Sequence, residues 1–147
     1  MTRIHKNEIE CGSIIKFGLY RKTQIEWSVL AKDGNKMLLI SKKALECKPY
    51  HTTKINITWE KSALRKWLNN DFFNAAFTKG EQKAIQSTYV TTDRNPKYST
   101  YSGNATTDKV FLLSIDEANK YFESDEDRKC EPTAYVKTKD GTAICFT

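Results

Sequence analysis

The feature that most constrains this chain is a change of period. Up to Ile40 apolar residues recur at every second position or in short continuous runs, whereas from Trp59 to Ile85 they recur at helical spacing. One chain must therefore build a sheet and then pack helices against it. Ser13-Ile14-Ile15-Lys16-Phe17 and Ile25-Glu26-Trp27-Ser28-Val29-Leu30 read as two strands, the second in strict alternation, with Gly18 to Gln24 as the turn of a hairpin. After the turn signal Asp33-Gly34-Asn35, the run Met37-Leu38-Leu39-Ile40 predicts a central strand buried on both faces. Lys48-Pro49-Tyr50-His51-Thr52-Thr53 breaks regular structure. Thr58 is the expected N-cap of a helix starting near Trp59, on which Leu64, Trp67 and Leu68 share a face. Asn69-Asn70-Asp71 interrupts that helix, Phe72 to Phe77 adds a second short one, and Lys79-Gly80 resets the chain before Glu81 to Gln86.

Residues 91–107 contain no aliphatic side chain larger than Ala and no periodicity, so they read as one long polar loop. Val110-Phe111-Leu112-Leu113 then predicts a fourth buried strand, and Ser114-Ile115-Asp116-Glu117 is a capping-box sequence opening a helix through Phe122. From Thr133 onward two readings stand: a hairpin about Asp140-Gly141, or a helical turn followed by an edge strand. The fold class expected is α+β, a small mixed or antiparallel sheet with two or three helices, in a single domain over residues 1–147. Its core is expected to join Trp27, Leu39, Leu64, Trp67, Leu68, Phe77, Phe111 and Leu113.

Charge narrows the partners. Residues 1–58 carry 11 basic and 5 acidic groups, residues 59–107 carry 7 and 4, and residues 108–147 carry 6 and 9, which gives +6, +3 and −3. A basic first half attracts phosphates or an acidic partner at low salt. No apolar run is long enough to cross a membrane and the opening residues lack an export signal, so a cytoplasmic protein without membrane contact is expected. Cys11, Cys47, Cys130 and Cys145 stand far apart, which predicts buried thiols rather than a disulfide framework or a metal site.

The succession Ile15-Lys16-Phe17-Gly18-Leu19-Tyr20, Ile25-Glu26-Trp27-Ser28-Val29-Leu30, Leu38-Leu39-Ile40-Ser41-Lys42, Trp59-Glu60-Lys61-Ser62-Ala63-Leu64-Arg65-Lys66-Trp67-Leu68-Asn69 and Asp108-Lys109-Val110-Phe111-Leu112-Leu113-Ser114 resembles a bacterial domain family of unknown function found in Firmicutes, their phages and mobile elements. Members of that family continue into a Trp-Trp-Leu-Arg-Ser segment and a closing Gly-Val-Arg-Pro strand, a pattern similar to C-type-lectin-like folds. This chain ends at Thr147 without them. The resemblance implies a recognition scaffold, either a fragment of a longer member or a naturally short one, and assigns no activity.

Catalytic chemistry finds few candidates. His5 and His51 are the two histidines, and Cys47 lies four residues before His51 with Pro49 between them, which forbids the regular helix that would pair a thiol with its base. A zinc site from Cys47, His51, Cys130 and Cys145 lacks the closely spaced ligand pairs such sites use. Glu123, Asp125, Glu126 and Asp127 read as a solvated surface turn. The strongest signal is in the long loop, where Tyr98 and Tyr101 stand among Arg94, Lys97 and Asn104, a composition that combines rigid aromatic contact area with adaptable hydrogen bonds. The same segment, with Pro96 and Gly103, also suits a flexible linker.

The function expected is non-catalytic recognition through Arg94, Lys97, Tyr98, Tyr101 and Asn104, helped by Lys42 and Lys43 from the basic half, with no cofactor. The partner expected is a protein or nucleoprotein, with nucleic acid as a further possibility through the basic half. One alternative is a phage or mobile-element inhibitor that binds a host protein or nucleoprotein, as a nucleic-acid mimic or in competition with nucleic acid. A second is an enzyme using His51 or Cys47.

Overall fold

Strands β1 (Ile14–Tyr20) and β2 (Thr23–Asp33) form an antiparallel hairpin, and β3 (Lys36–Ser41) pairs with the far side of β2. The structure, a computed structural model, describes residues 9–139. The hairpin turn is tighter than the expected Gly18 to Gln24. Tyr20 pairs with Thr23, so Arg21 and Lys22 alone make the turn, and both adopt left-handed dihedrals, φ +49° and +63°. A two-residue turn of this hand matches the twist of the strands and normally selects Asn-Gly.

Gly18 belongs to β1 itself. It sits where the register with β2 shifts between Lys16 and Leu19, with φ +79°, and its N–H donates to Glu81 Oε1 at 3.0 Å.

β3 is an edge strand rather than the expected central one. Its residues Leu38 to Ser41 are half-buried, because the chain leaves Ser41 into irregular structure and, among the described residues, no fourth strand pairs with it.

The helical segment that follows lies against the hairpin. Trp59–Lys61 forms a single tight turn; then come α1 (Ala63–Trp67), a widened turn with π-type bonding over Leu68–Phe72, and α2 (Phe73–Ala76). The cap is Ser62 rather than Thr58. Ser62 is fully buried and its hydroxyl accepts from Arg65 N–H, whereas Thr58 makes no capping bond.

The expected break at Asn69-Asn70-Asp71 appears as the widened turn. Asn69 and Asn70 each donate a side-chain N–H back to the carbonyl four residues earlier, and such side-chain bonds compete with the backbone ladder. The chain stays helical while the faces of Leu68 and Phe72 are re-aimed. α3 (Lys79–Ala84) opens on a capping box in which Thr78 and Glu81 exchange bonds.

The core forms where these helices meet the hairpin. Tyr20, Ile25, Phe72, Phe73, Ala76 and Phe77 are buried together, with Trp27, Trp67 and Leu68 packed against them. Four expected members, Leu39, Leu64, Phe111 and Leu113, are only half-buried and lie outside this cluster.

The displacement of Phe111 and Leu113 has a cause distant in sequence. The fourth strand expected over Val110–Leu113 does not form, because Asn69 captures the backbone there: its Oδ1 accepts from the N–H groups of Lys109 and Val110 at 2.8 and 3.2 Å, and its Nδ2 donates to Val110 C=O at 2.8 Å. The strand lies just upstream instead. β5 (Thr106–Asp108) pairs antiparallel with β4 (Thr88–Val90) in a separate two-stranded ribbon.

One carboxylate joins that ribbon to the helices. The Asp108 side chain, 1% exposed, accepts from Trp59 Nε1 at 2.9 Å, Arg65 Nε at 2.8 Å and the Thr106 hydroxyl at 2.5 Å. Burial of a charge demands such pairing. Trp59, Ser62, Arg65 and Asn69 thus act as fasteners of the fold. α4 (Ile115–Tyr121) follows with the expected Ser114 and Glu117 capping box. α5 (Ala134–Lys137) is a helical turn; the Asp140-Gly141 hairpin or edge strand falls outside the described residues.

Candidate functional site

Residues 91–105 span the gap between β4 and β5, so the expected loop is the connection of the two-stranded ribbon, ending two residues earlier than 107. It is tied at two places. At its return end Gly103, φ +85°, passes so close to Thr58 that a Cβ there would lie 2.7 Å from the Thr58 Cβ, and Asn104 Nδ2 donates to Glu60 at 3.2 Å. At its far end Asn95 Oδ1 accepts from the N–H groups of Lys97 and Tyr98, and its carbonyl accepts from Ser99 N–H at 2.8 Å, which folds Asn95 to Ser99 into a side-chain-closed turn.

On this frame Tyr98 and Tyr101 are 65% and 71% exposed, and Tyr89 on β4 is 72% exposed. Arg94 and Lys97 are exposed beside them, with Lys97 Nζ 5.2 Å above the Tyr98 ring. Large amphipathic rings held in water by a folded loop offer contact area at low entropic cost. Tyr89 was not legible as a site residue, because Thr88-Tyr89-Val90 is too short a stretch to show a period and its outward direction follows only from the pairing of β4 with β5.

The structure places Lys42 and Lys43 elsewhere on the chain, just past β3, both exposed. Lys43 lines a cleft of about 320 Å³ with Lys16, Tyr20, Arg21, Glu26 and Tyr135, and no residue of the 91–105 loop takes part in it. Beside the cleft, the Glu46 carboxylate is 6% exposed and accepts from Tyr20 OH, Lys139 Nζ and Cys47 N–H at 2.9, 2.9 and 3.1 Å.

Burial pushes the Glu46 carboxyl up, but the bonds from Lys139, Tyr20 and Cys47 outweigh it and hold the group below its ordinary value. A lowered folded-state pKa contributes stability that is present above about pH 4.3, the unfolded value, and is lost as pH falls through the folded value. Glu46→Gln is therefore expected to flatten the acid limb of the stability profile, read as a smaller loss of urea resistance than wild type between about pH 5 and about pH 3. Identical acid limbs would show that Glu46 carries none of it.

His51 and Cys47, the residues of the enzyme alternative, both take part in hydrogen bonds. The His51 Nδ1 accepts the backbone N–H of Ala63 at 3.2 Å, so the imidazole serves the start of α1, while Cys47 has its own backbone N–H bonded to Glu46. The cysteines are not the expected buried thiols: Cys11 is exposed and Cys47 and Cys130 are half-buried, while His5 and Cys145 fall outside the described residues. No three His, Cys, Asp or Glu gather as a metal cluster among the described residues. The acidic turn closes on itself, with Asp127 bonded to Ser124, Asp125 to Arg128 and Glu126 to Lys129.

Together these features describe a small α+β module whose exposed chemistry is a tyrosine-bearing loop and a basic cleft, with Asp108, Asn69 and Glu46 engaged in holding the fold. The chain belongs to the family described as domain of unknown function (DUF6273), whose profile matches residues 34–145. No curated protein and no solved structure matches the chain. Among the described residues no helix is long and apolar enough to cross a membrane.

Proposed function

We propose that this chain is a non-catalytic binding module of a bacterial or phage cytoplasm, and that it takes a protein or nucleoprotein partner on the 91–105 loop. The observation that carries this reading is the presentation of Tyr98 and Tyr101, with Tyr89 at the base, on a loop closed by Asn95 and pinned by Gly103 and Asn104. Aromatic anchors of this kind dominate interface energetics, and Arg94, Lys97, Lys42 and Lys43 supply long-range attraction. A C-type-lectin-like scaffold, which commonly displays ligand loops, remains the fold analogy that suits this use.

The double variant Tyr98→Ala with Tyr101→Ala is expected to lose partner retention from a lysate of the source bacterium by about thirtyfold or more, the effect of removing about 2 kcal/mol of anchor contact. Its melting temperature should stay within about 2 °C of wild type, since exposed side chains contribute little to folding. Lys42→Glu with Lys43→Glu should instead slow association and lower its salt dependence. Full retention by the double tyrosine variant would remove the loop as the site. Salt-independent binding would remove the basic half from it.

A further inference from the structure

We infer that the cleft between the β1–β2 turn and α5 is a second site, one that binds a small phosphomonoester through Arg21 and Lys43. The first ground is charge. Lys16, Arg21 and Lys43 line the cleft with one carboxylate, Glu26, while the Lys139–Glu46 ion pair beside it adds no net charge, so three cations face one carboxylate. The excess of two positive charges matches a phosphomonoester, which is close to a dianion at neutral pH.

The second ground is how Arg21 is held. Its guanidinium lies 4.6 Å from the centroid of the Tyr135 ring and 5.3 Å from that of Tyr20, and it makes a long ion pair with Glu46 at 3.6 Å, without a hydrogen bond. Glu46 makes its short contacts with Lys139 and Tyr20 instead. The rings flank the guanidinium and leave the side chain half-exposed, so that its fork can take two oxygens of a phosphate. Lys43 makes no ion pair among the described residues, so its ammonium is available for a third oxygen.

The third ground is strain. Arg21 and Lys22 occupy left-handed dihedrals that Asn and Gly adopt at lower cost, and backbone outliers of this kind cluster where a side chain must be presented in one place. The cleft volume of about 320 Å³ lies at the lower end of small-molecule sites. That size fits a phosphate with a compact organic group.

The test uses the full chain and titrates inorganic phosphate, phenyl phosphate and a phosphoserine peptide by calorimetry, with sodium chloride at matched ionic strength as reference. Phosphate and phenyl phosphate are expected to bind where chloride does not, with affinity falling at least tenfold in Lys43→Gln and in Arg21→Gln. Lys43→Gln should melt as wild type without phosphate, so that its loss reads binding and not folding. Tyr98→Ala with Tyr101→Ala should bind phosphate unchanged, which separates this site from the loop. Phosphate heats equal to chloride, or full affinity in both charge variants, would overturn the assignment. A phosphoserine peptide that outbinds phenyl phosphate would overturn the small molecule in favour of a phosphorylated chain.

Discussion

Asp108→Ala is expected to destabilise the protein by about 3–5 kcal/mol, the range for breaking a buried ion pair from one side. The carboxylate is the shared acceptor of Trp59 Nε1, Arg65 Nε and the Thr106 hydroxyl, so its removal strands three donors at once. Arg65 is the costly one, because only 24% of its side chain reaches water and its charge would lose its partner. Asp108→Asn keeps one oxygen and should lose less, about 1–3 kcal/mol. Urea unfolding of the two variants beside wild type checks this, and a loss under about 1 kcal/mol for Asp108→Ala would show that the cluster is dispensable. The effect should also reach the loop. Asp108 ends β5 and anchors the ribbon from which residues 91–105 depart, so the alanine variant should bind its partner weakly even where it remains folded.

Gly18→Ala is expected to cost roughly 2–5 kcal/mol, built from two separable causes. A left-handed dihedral at φ +79° disfavours any Cβ by about 1–2 kcal/mol. The Cβ would also lie 2.6 Å from a Phe77 ring carbon and 2.9 Å from the Ala76 carbonyl oxygen, and overpacking of a filled core adds about 1–3 kcal/mol. Gly34 separates the two causes. It has φ +56° and nothing within 4 Å of a Cβ, so Gly34→Ala should show the dihedral cost alone. Equal losses at both positions would mean that the close approach of β1 to Phe77 contributes nothing.

Local pattern carried most of the element types. Strict alternation placed β2, the Asp33-Gly34-Asn35 signal placed the turn into β3, and the Ser114 and Glu117 spacing placed the cap of α4, because each depends on neighbours in sequence. The same locality explains the errors. Val110 to Leu113 has the composition of a strand, yet its backbone partner is the Asn69 side chain on another element, and no window around residue 110 contains that fact. Met37 to Ile40 has the composition of a central strand, yet whether a strand is central depends on which other segment pairs with it.

The candidate sites divide in the same way. Tyr98 and Tyr101 were legible because their exposure follows from a polar, aperiodic stretch. The cleft was not, since it takes Lys16 and Arg21 from β1 and its turn, Lys43 from the segment after β3 and Tyr135 from α5. By itself the sequence determined the α+β class, the hairpin, the helical run and the aromatic loop, all set by side-chain period and turn chemistry acting over a few residues. Tertiary structure alone decided which apolar residues became core, that Asp108 and Asn69 would fasten the ribbon to the helices, and that Arg21 would lie against two aromatic rings. Those outcomes depend on groups far apart in the chain, whose contact energies exist only once the backbone has brought them together.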